Sequence, residues 1–167
     1  MSPPPFQTFF ERHRDAVYRF LVFSVGPDAA DDCLQETLVA ALRAYPGLED
    51  GSNLRAWVLT IAHRKAIDAH RARSRRPVPL PDLPDRPTPS VNLPDRPVPA
   101  PELPDPGLWK ALGELPPKQR AAIVLRFVSD LPFREVGRIL DTSEAAARQN
   151  VREGLAHLRK EYTDDER

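Results

Sequence analysis

The chain has 167 residues, of which 41% are apolar and 7% aromatic, so it can form one domain or two small ones but not one large core. Its formal net charge is zero, which by itself argues against a nucleic-acid partner. The single cysteine, Cys33, excludes an internal disulfide and a zinc site built from several cysteines.

The charges are nevertheless segregated along the chain. The first fifty residues carry twice as many acids as bases. Residues 52–76 contain one acid, Asp68, and these seven cations: Arg55, Arg64, Lys65, Arg71, Arg73, Arg75 and Arg76. A local excess of about six positive charges makes a field that attracts a phosphate backbone. The distribution therefore favours a nucleic-acid partner that the net charge conceals.

Two helices are predicted in the first part of the chain. Apolar residues recur at helical spacing in residues 1–26, and Gly26-Pro27 ends that helix. The second helix continues to about residue 44, with Asp28 placed to cap its start. Its exposed face carries Asp31, Asp32, Gln35 and Glu36. Two interpretations remain open, namely helix capping with solubility and a docking face for a basic partner.

A loop from Tyr45 to Asn53 leads to a third helix at residues 54–73. One side of this helix is apolar, and the other side carries Arg64, Lys65 and Arg71. Such a helix can lie on a membrane surface, but its apolar side is needed to pack against the two earlier helices. The three helices predict a first domain at residues 1–76.

The composition changes abruptly at residues 77–106, which hold twelve of the twenty prolines. Leu83-Pro84-Asp85-Arg86-Pro87 returns ten residues later as Leu93-Pro94-Asp95-Arg96-Pro97. Neither a helix nor a central strand forms at this proline density. The segment predicts an extended, semi-rigid linker of polyproline type. A ligand for a proline-recognising module is the alternative.

A second helical domain is predicted at residues 107–162, followed by an acidic tail at 163–167. Residues 133–158 show two amphipathic helices separated by a turn, and Ser143 is placed to cap the second helix. Gly137, a small residue, permits a close helix crossing. The polar face of the second helix carries Arg148, Gln149, Asn150 and Arg152. This pattern indicates either a helix-turn-helix that enters the major groove or an ordinary hairpin with a solvated basic face.

Catalysis has no support in the sequence. The four histidines (His13, His63, His70 and His157) are scattered, without the spacing of metal ligands, and no phosphate-binding glycine loop occurs. The first twenty residues lack the apolar run of a signal peptide. Because no stretch of about 18 apolar residues occurs either, we expect a cytoplasmic protein that is not an enzyme, is not inserted in a membrane and has no cofactor.

Three segments, in this order, resemble bacterial sigma factors of the sigma-70 family, of the extracytoplasmic-function type. They are Asp31-Asp32-Cys33-Leu34-Gln35-Glu36-Thr37, the helix that begins Leu54-Arg55-Ala56-Trp57, and Leu115-Pro116-Pro117-Lys118-Gln119-Arg120 with the helix-turn-helix that follows. The chain departs from the family pattern at Asp141, where a glycine is common. A second departure is Glu153, where the recognition helix often has a basic residue.

The resemblance implies an all-α fold, with a sigma2-like bundle and a sigma4-like helix-turn-helix domain joined by the proline-rich linker. It implies a transcription initiation factor that binds core RNA polymerase, directs it to promoters and helps to open the DNA. It assigns core-polymerase binding to Asp31, Asp32, Gln35 and Glu36. It assigns minus-ten binding to Asn53, Trp57, Arg64, Lys65 and Arg71, and minus-thirty-five binding to Arg134, Ser143, Arg148, Gln149, Asn150 and Arg152.

The implied partners are the beta and beta-prime subunits of the polymerase and promoter DNA, both as duplex and as melted non-template strand. An anti-sigma factor often inhibits members of this family, and the factor is a monomer within the holoenzyme. The linker would follow the RNA exit path, where its acidic side chains mimic nascent RNA. Two alternatives stay open. A stand-alone helix-turn-helix regulator would bind DNA without polymerase, and a helical scaffold would bind proteins only.

Overall fold

The computed structural model describes residues 3–49, 53–74, 101–102 and 105–165, and within these ranges every regular element is helical. The N-terminal bundle contains α1 (Phe6–Val25), α2 (Pro27–Ala44) and α3 (Leu54–Ser74), with a 3-10 turn at Tyr45–Gly47. The C-terminal bundle contains α4 (Pro106–Glu114), α5 (Pro117–Ile123), α6 (Phe133–Ile139) and α7 (Glu144–Asp165), with a π-helical turn at Val124–Val128. The prediction of an all-α fold is confirmed.

The junction between α1 and α2 depends on one glycine. Gly26 has a φ of 88°, a conformation that side chains disfavour, and its N–H donates to the carbonyl of Val22 at 2.9 Å. Pro27 then opens α2, where its missing N–H has no helical partner to lose. Asp28 was predicted to cap α2, but Gly26 occupies the cap and Asp28 lies within the first turn. Its carboxylate still suits the positive end of the helix dipole.

Aromatic side chains fill the core of the N-terminal bundle. Phe9, Phe10 and Phe20 from α1 are completely or almost completely buried. They pack with Leu59 and other apolar side chains of α3 in the same cluster. The hydroxyl of Tyr45 donates a hydrogen bond to the carbonyl of Pro4, so the start of the chain is tied to the end of α2.

Two side-chain caps define the C-terminal bundle. Asp105 accepts hydrogen bonds from the backbone N–H groups of Gly107 at 3.1 Å and Leu108 at 3.2 Å, which starts α4. Ser143 accepts from the N–H of Ala146 at 3.0 Å, so the prediction that it caps the second helix is confirmed. Helix α7 continues to Asp165, beyond the end of the apolar pattern in the sequence.

The two bundles pack directly against each other, a contact that the sequence did not predict. The Nε of Arg120 on α5 donates to the carbonyl of Phe23 on α1 at 2.7 Å. The ring of Phe23 meets the ring of Trp109 edge-on at 5.6 Å. Arg55, at the start of α3, donates to the carbonyl of Ser129 in the other bundle. The buried apolar residues of both bundles consequently form one cluster.

Most of the predicted linker lies outside the described residues. The predictions of its repeat, its extended form and its route fall on that part of the chain. In the part of the chain that the structure describes, no helix is both long enough and apolar enough to cross a membrane.

Candidate polymerase and nucleic-acid interfaces

The acidic face of α2 points away from the core. Asp31, Asp32, Gln35 and Glu36 are all exposed, whereas the intervening positions are buried: Cys33, Leu34, Thr37 and Leu38. The helical period alone produces this division. Burial, followed by the charge and hydrogen bond of Asp31, raises the pKa of Tyr18 on α1. Asp31 therefore interacts with Tyr18 of the bundle, whereas Asp32, Gln35 and Glu36 are exposed to a partner.

The basic side of α3 is largely open to solvent. Arg64 and Arg71 are exposed, and Lys65 is half-buried. Arg55, at the start of the same helix, is instead engaged with Ser129 of the C-terminal bundle. A line of cations along one helix suits contacts with phosphates, which position a protein on DNA without reading its sequence.

Two of the residues assigned to the minus-ten element also stabilise the fold. Asn53 is exposed, and its side-chain oxygen accepts from the N–H of Ala56 at 3.1 Å, at the start of α3. Trp57 is half-buried in an aromatic cluster, with ring centroids 5.7 Å from Phe9 and 6.1 Å from Tyr45. The tip of the loop between Tyr45 and Asn53 lies outside the described residues.

The start of α7 presents the residues assigned to the minus-thirty-five element. Ala147 and Val151 are buried, as their spacing predicted. Gln149 projects from the opposite side of the helix, and Arg152 projects next to it. Asn150 is half-buried and lies nearer the bundle than these two. Two further assigned residues, Arg134 on α6 and the capping Ser143, are exposed.

Arg148 is held between two partners. Its Nη2 lies 2.7 Å from an oxygen of Glu144, one turn earlier on α7. Its guanidinium lies 5.1 Å from the centroid of the Phe133 ring. Arg126 lies at the same distance from that ring, so the ring contacts two cations. Neither Phe133 nor Arg126 was predicted on this surface, because these contacts join residues from separate elements.

The contact between the bundles is rich in basic groups. Arg120, His63 and His70 line one small cavity together with Ser24. Burial, followed by Arg64, His70 and Lys118, lowers the pKa of His63 to about 4. Burial and Arg120 also lower the pKa of His70, although a hydrogen bond to the backbone of Ser24 opposes them. In the described part of the chain, no group of three or more His, Cys, Asp or Glu side chains is arranged to hold a metal ion.

Both helical bundles have counterparts among known proteins. Residues 9–76 match the model for Sigma-70 region 2, and residues 107–158 match that for Sigma-70, region 4. The RNA polymerase sigma factor CarQ of Myxococcus xanthus is 30% identical, over 93% of this chain and 87% of its own length. The ECF RNA polymerase sigma factor SigX of Bacillus subtilis is 30% identical, over 96% and 89%.

A solved structure has a similar fold. The sigma factor RpoE of Bartonella quintana, in complex with the anti-sigma factor NepR, superimposes with a TM-score of 0.72 over 95% of this chain and 96% of its own, at 23% identity. The two family models, in the right order, cover most of the chain. The chain therefore belongs to the extracytoplasmic-function group of the sigma-70 family of RNA polymerase sigma factors, which act in transcription initiation.

Proposed function

We propose that this protein binds core RNA polymerase through α2 and directs it to promoters by reading the minus-ten element with α3 and the minus-thirty-five element with α7. The observation that carries the proposal is the segregation of exposed charge. A chain with no net charge presents an acidic face on α2 and a separate basic side on α3, and the start of α7 exposes Arg152 and Gln149 side by side. One protein partner and two DNA contacts account for this division.

The acidic face on α2 provides the contact with the polymerase. Asp31, Asp32, Gln35 and Glu36 would meet a basic surface of the beta-prime subunit. Charges of this kind increase the rate of association and fix the register more than they increase affinity. We expect Glu36→Lys to weaken the binding of core polymerase, while Glu114→Lys, the same charge reversal at an exposed position of the C-terminal bundle, serves as the matched control.

The basic helix α3 provides the contact with the minus-ten element. Arg64, Lys65 and Arg71 would contact phosphates of the non-template strand. An unstacked base costs a few kcal/mol to extrude, and a shaped pocket must offset this cost. Trp57 is packed against Phe9 and Tyr45, which favours a supporting position below such a pocket over complete exposure to a base. We assign the opening of the DNA to this region.

The first turns of α7 provide the contact with the minus-thirty-five element. Arg152 and Gln149 project from the face that a major groove would receive. Arginine prefers guanine and glutamine prefers adenine, each through two hydrogen bonds. Arg134 and Arg148 lie at the side of this face and are suited to phosphates or to an adjacent base.

The test is transcription in vitro with purified core polymerase and a library of promoter fragments. We expect initiation at defined sites only when this protein is present, and little DNA binding without polymerase. Arg152→Ala should reduce initiation by about tenfold at promoters that depend on the minus-thirty-five element. Arg159→Ala, an exposed change further along α7, is the control. Specific DNA binding without polymerase would instead support a stand-alone regulator.

The partners and the location follow from this proposal. The protein would act in the cytoplasm, as a monomer within the holoenzyme. RpoE of Bartonella quintana was solved with the anti-sigma factor NepR, and we include an inhibitor of this kind among the partners. The acidic side chains of the linker would lie in the RNA exit path, and their replacement by serine should change the yield of abortive transcripts.

A further inference from the structure

Glu153 lies on the surface assigned to DNA, where a negative charge is unfavourable because phosphates repel it. Each oxygen of its carboxylate accepts one amide hydrogen bond. Gln149, one turn earlier on α7, donates to Oε1 at 2.8 Å. Gln119, on α5, donates to Oε2 at 3.1 Å. Glu153 thus joins the side chain that projects most directly from α7 to a second helix.

The backbone explains why α5 reaches this position. Gly154 is buried, and a Cβ added to it would lie 2.5 Å from Cδ1 of Ile123 and 3.5 Å from Cβ of Gln119. Helices α5 and α7 therefore approach closely beside Glu153, as a residue without a side chain allows. This close approach fixes the distance between Gln119 and Glu153, so that the hydrogen bonds rest on a packed interface.

The hydrogen bond from Gln149 restricts the orientation of its amide. A free glutamine side chain rotates about three bonds, and its amide has two N–H donors and one acceptor oxygen. One donor is committed to Glu153. The other donor and the oxygen remain available, and this combination matches adenine in the major groove, where N7 accepts from the amide N–H and the N6 amino group donates to the amide oxygen.

We propose that Glu153 is a positioning residue for promoter specificity, which orients Gln149 toward one adenine of the minus-thirty-five element and, through its charge, lowers the affinity for DNA of every sequence. This inference rests on the proposed function. It gives the acid two separable effects. The hydrogen-bond acceptor sharpens the preference at one base pair, and the charge weakens binding to every sequence alike.

Two substitutions separate these effects. Glu153→Ala removes both acceptor oxygens and the charge. Glu153→Gln removes the charge and keeps one acceptor oxygen for Gln149, while its new N–H group can donate to the amide oxygen of Gln119 once that amide turns over. The holoenzyme formed with each variant is used to select from promoters randomised in the minus-thirty-five region, and the recovered sequences are counted. Total affinity is measured at several salt concentrations on one fixed promoter that lacks the preferred base pair, so that only the effect of the charge is read.

We expect both variants to bind the fixed promoter more tightly than the wild type. Glu153→Ala should reduce the preference at one base pair by about five- to tenfold, and Glu153→Gln should retain most of it. Gln149→Ala should lose the preference at the same base pair, and its combination with Glu153→Ala should lose no more. Thermal unfolding of each variant shows whether the fold is intact, because a purely structural role would change stability and not the base preference.

Two results would overturn the inference. If Glu153→Ala keeps the wild-type preference at every base pair, or changes a base pair that Gln149→Ala leaves unchanged, Glu153 does not position Gln149. If the wild-type holoenzyme shows no preference in the minus-thirty-five region, both this inference and that part of the proposed function are wrong. The wild-type selection therefore distinguishes the two failures.

Discussion

At the scale of single residues, His63 shows how the protein handles a basic group in its interior. Only 8% of its surface is exposed, and its ring lies 6.4 Å from that of Phe20. The charged groups that act on it are Arg64, His70 and Lys118, from α3 and α5, and all of them disfavour its protonation. The folded protein therefore keeps this imidazole neutral.

The titration of His63 predicts how stability depends on pH. Its pKa is about 4 when folded and 6.5 as the ordinary value, so the unfolded chain binds the proton more readily between these limits. The free energy of unfolding therefore keeps its full value, as far as His63 is concerned, above pH 6.5. It decreases as the pH falls toward 4, by up to about 3 kcal/mol. Urea unfolding at several pH values should give a shallower decrease for His63→Gln than for the wild type.

Val17→Ala, a destabilising change in the apolar core of the same bundle that removes no titrating group, is the control and should keep the wild-type slope. Burial also lowers the pKa values of His13 and His70. These two histidines therefore add to the loss of stability at low pH in every variant. Equal slopes for His63→Gln and the wild type would show that His63 does not carry the effect.

At the scale of elements, the helix-turn-helix depends on contacts within its turn. Gly137 was expected to admit a crossing helix, but the atoms closest to it belong to the turn itself. The N–H of Thr142 donates to the carbonyl of Gly137 at 2.8 Å. Asp141 has a φ of 54°, the left-handed conformation that glycine adopts most easily and that aspartate tolerates better than most other residues. The turn folds back over α6 at Gly137.

We therefore expect Gly137→Ala to destabilise the C-terminal bundle by about 1–3 kcal/mol. The added Cβ would lie 2.9 Å from the carbonyl oxygen of Thr142 and 3.1 Å from the carbonyl carbon of Ser143, and backbone atoms cannot turn aside. Gly113→Ala on α4 is the matched control. Nothing lies within 4 Å of its Cβ, so a gain of up to about 1 kcal/mol is expected from helix propensity. The free energy of unfolding is measured by chemical denaturation. If both variants change it in the same direction, this account is contradicted.

Sequence periodicity was sufficient for the helices and for their buried sides. Ala147 and Val151 are buried and Ser143 caps α7 because these features depend on residues within one turn. The cap of α2 was misplaced because Gly26 substitutes a backbone conformation for a side-chain hydrogen bond. Contacts between elements gave no local signal. Glu153 meets Gln119 across the bundle, and Arg120 reaches Phe23 from 97 positions away in the chain.

At the scale of the whole molecule, the two bundles share one apolar cluster and are joined by polar contacts. The carbonyls at the end of α1 carry partial negative charge, and Arg120 from α5 places its guanidinium there. The guanidinium also lies 6.0 Å from the centroid of the Trp109 ring. Burial lowers the pKa of Arg120, so this hydrogen bond partly compensates for a charge that is removed from water.

Replacement of Arg120 should loosen the contact between the bundles. We expect Arg120→Ala to lower the free energy of unfolding by about 1–3 kcal/mol, because the carbonyl of Phe23 loses a charged donor. Thermal unfolding of the wild type should show one transition, and Arg120→Ala combined with Trp109→Ala should separate it into two. Lys118→Ala, an exposed cation on the same helix, should leave one transition. A single transition in the double variant would show that the apolar cluster alone joins the bundles.

The burial of Cys33 has a practical consequence. The thiol belongs to a residue that is 4% exposed, and burial, followed by the charges of Glu36 and Asp32, raises its pKa. Since thiolates are the species that react with maleimides, we expect the native chain to give little background in such labelling. Cysteines introduced at exposed positions, one in each bundle, would carry a donor and an acceptor dye without removal of Cys33. Energy transfer between them would then follow the separation of the two bundles as polymerase and promoter are added.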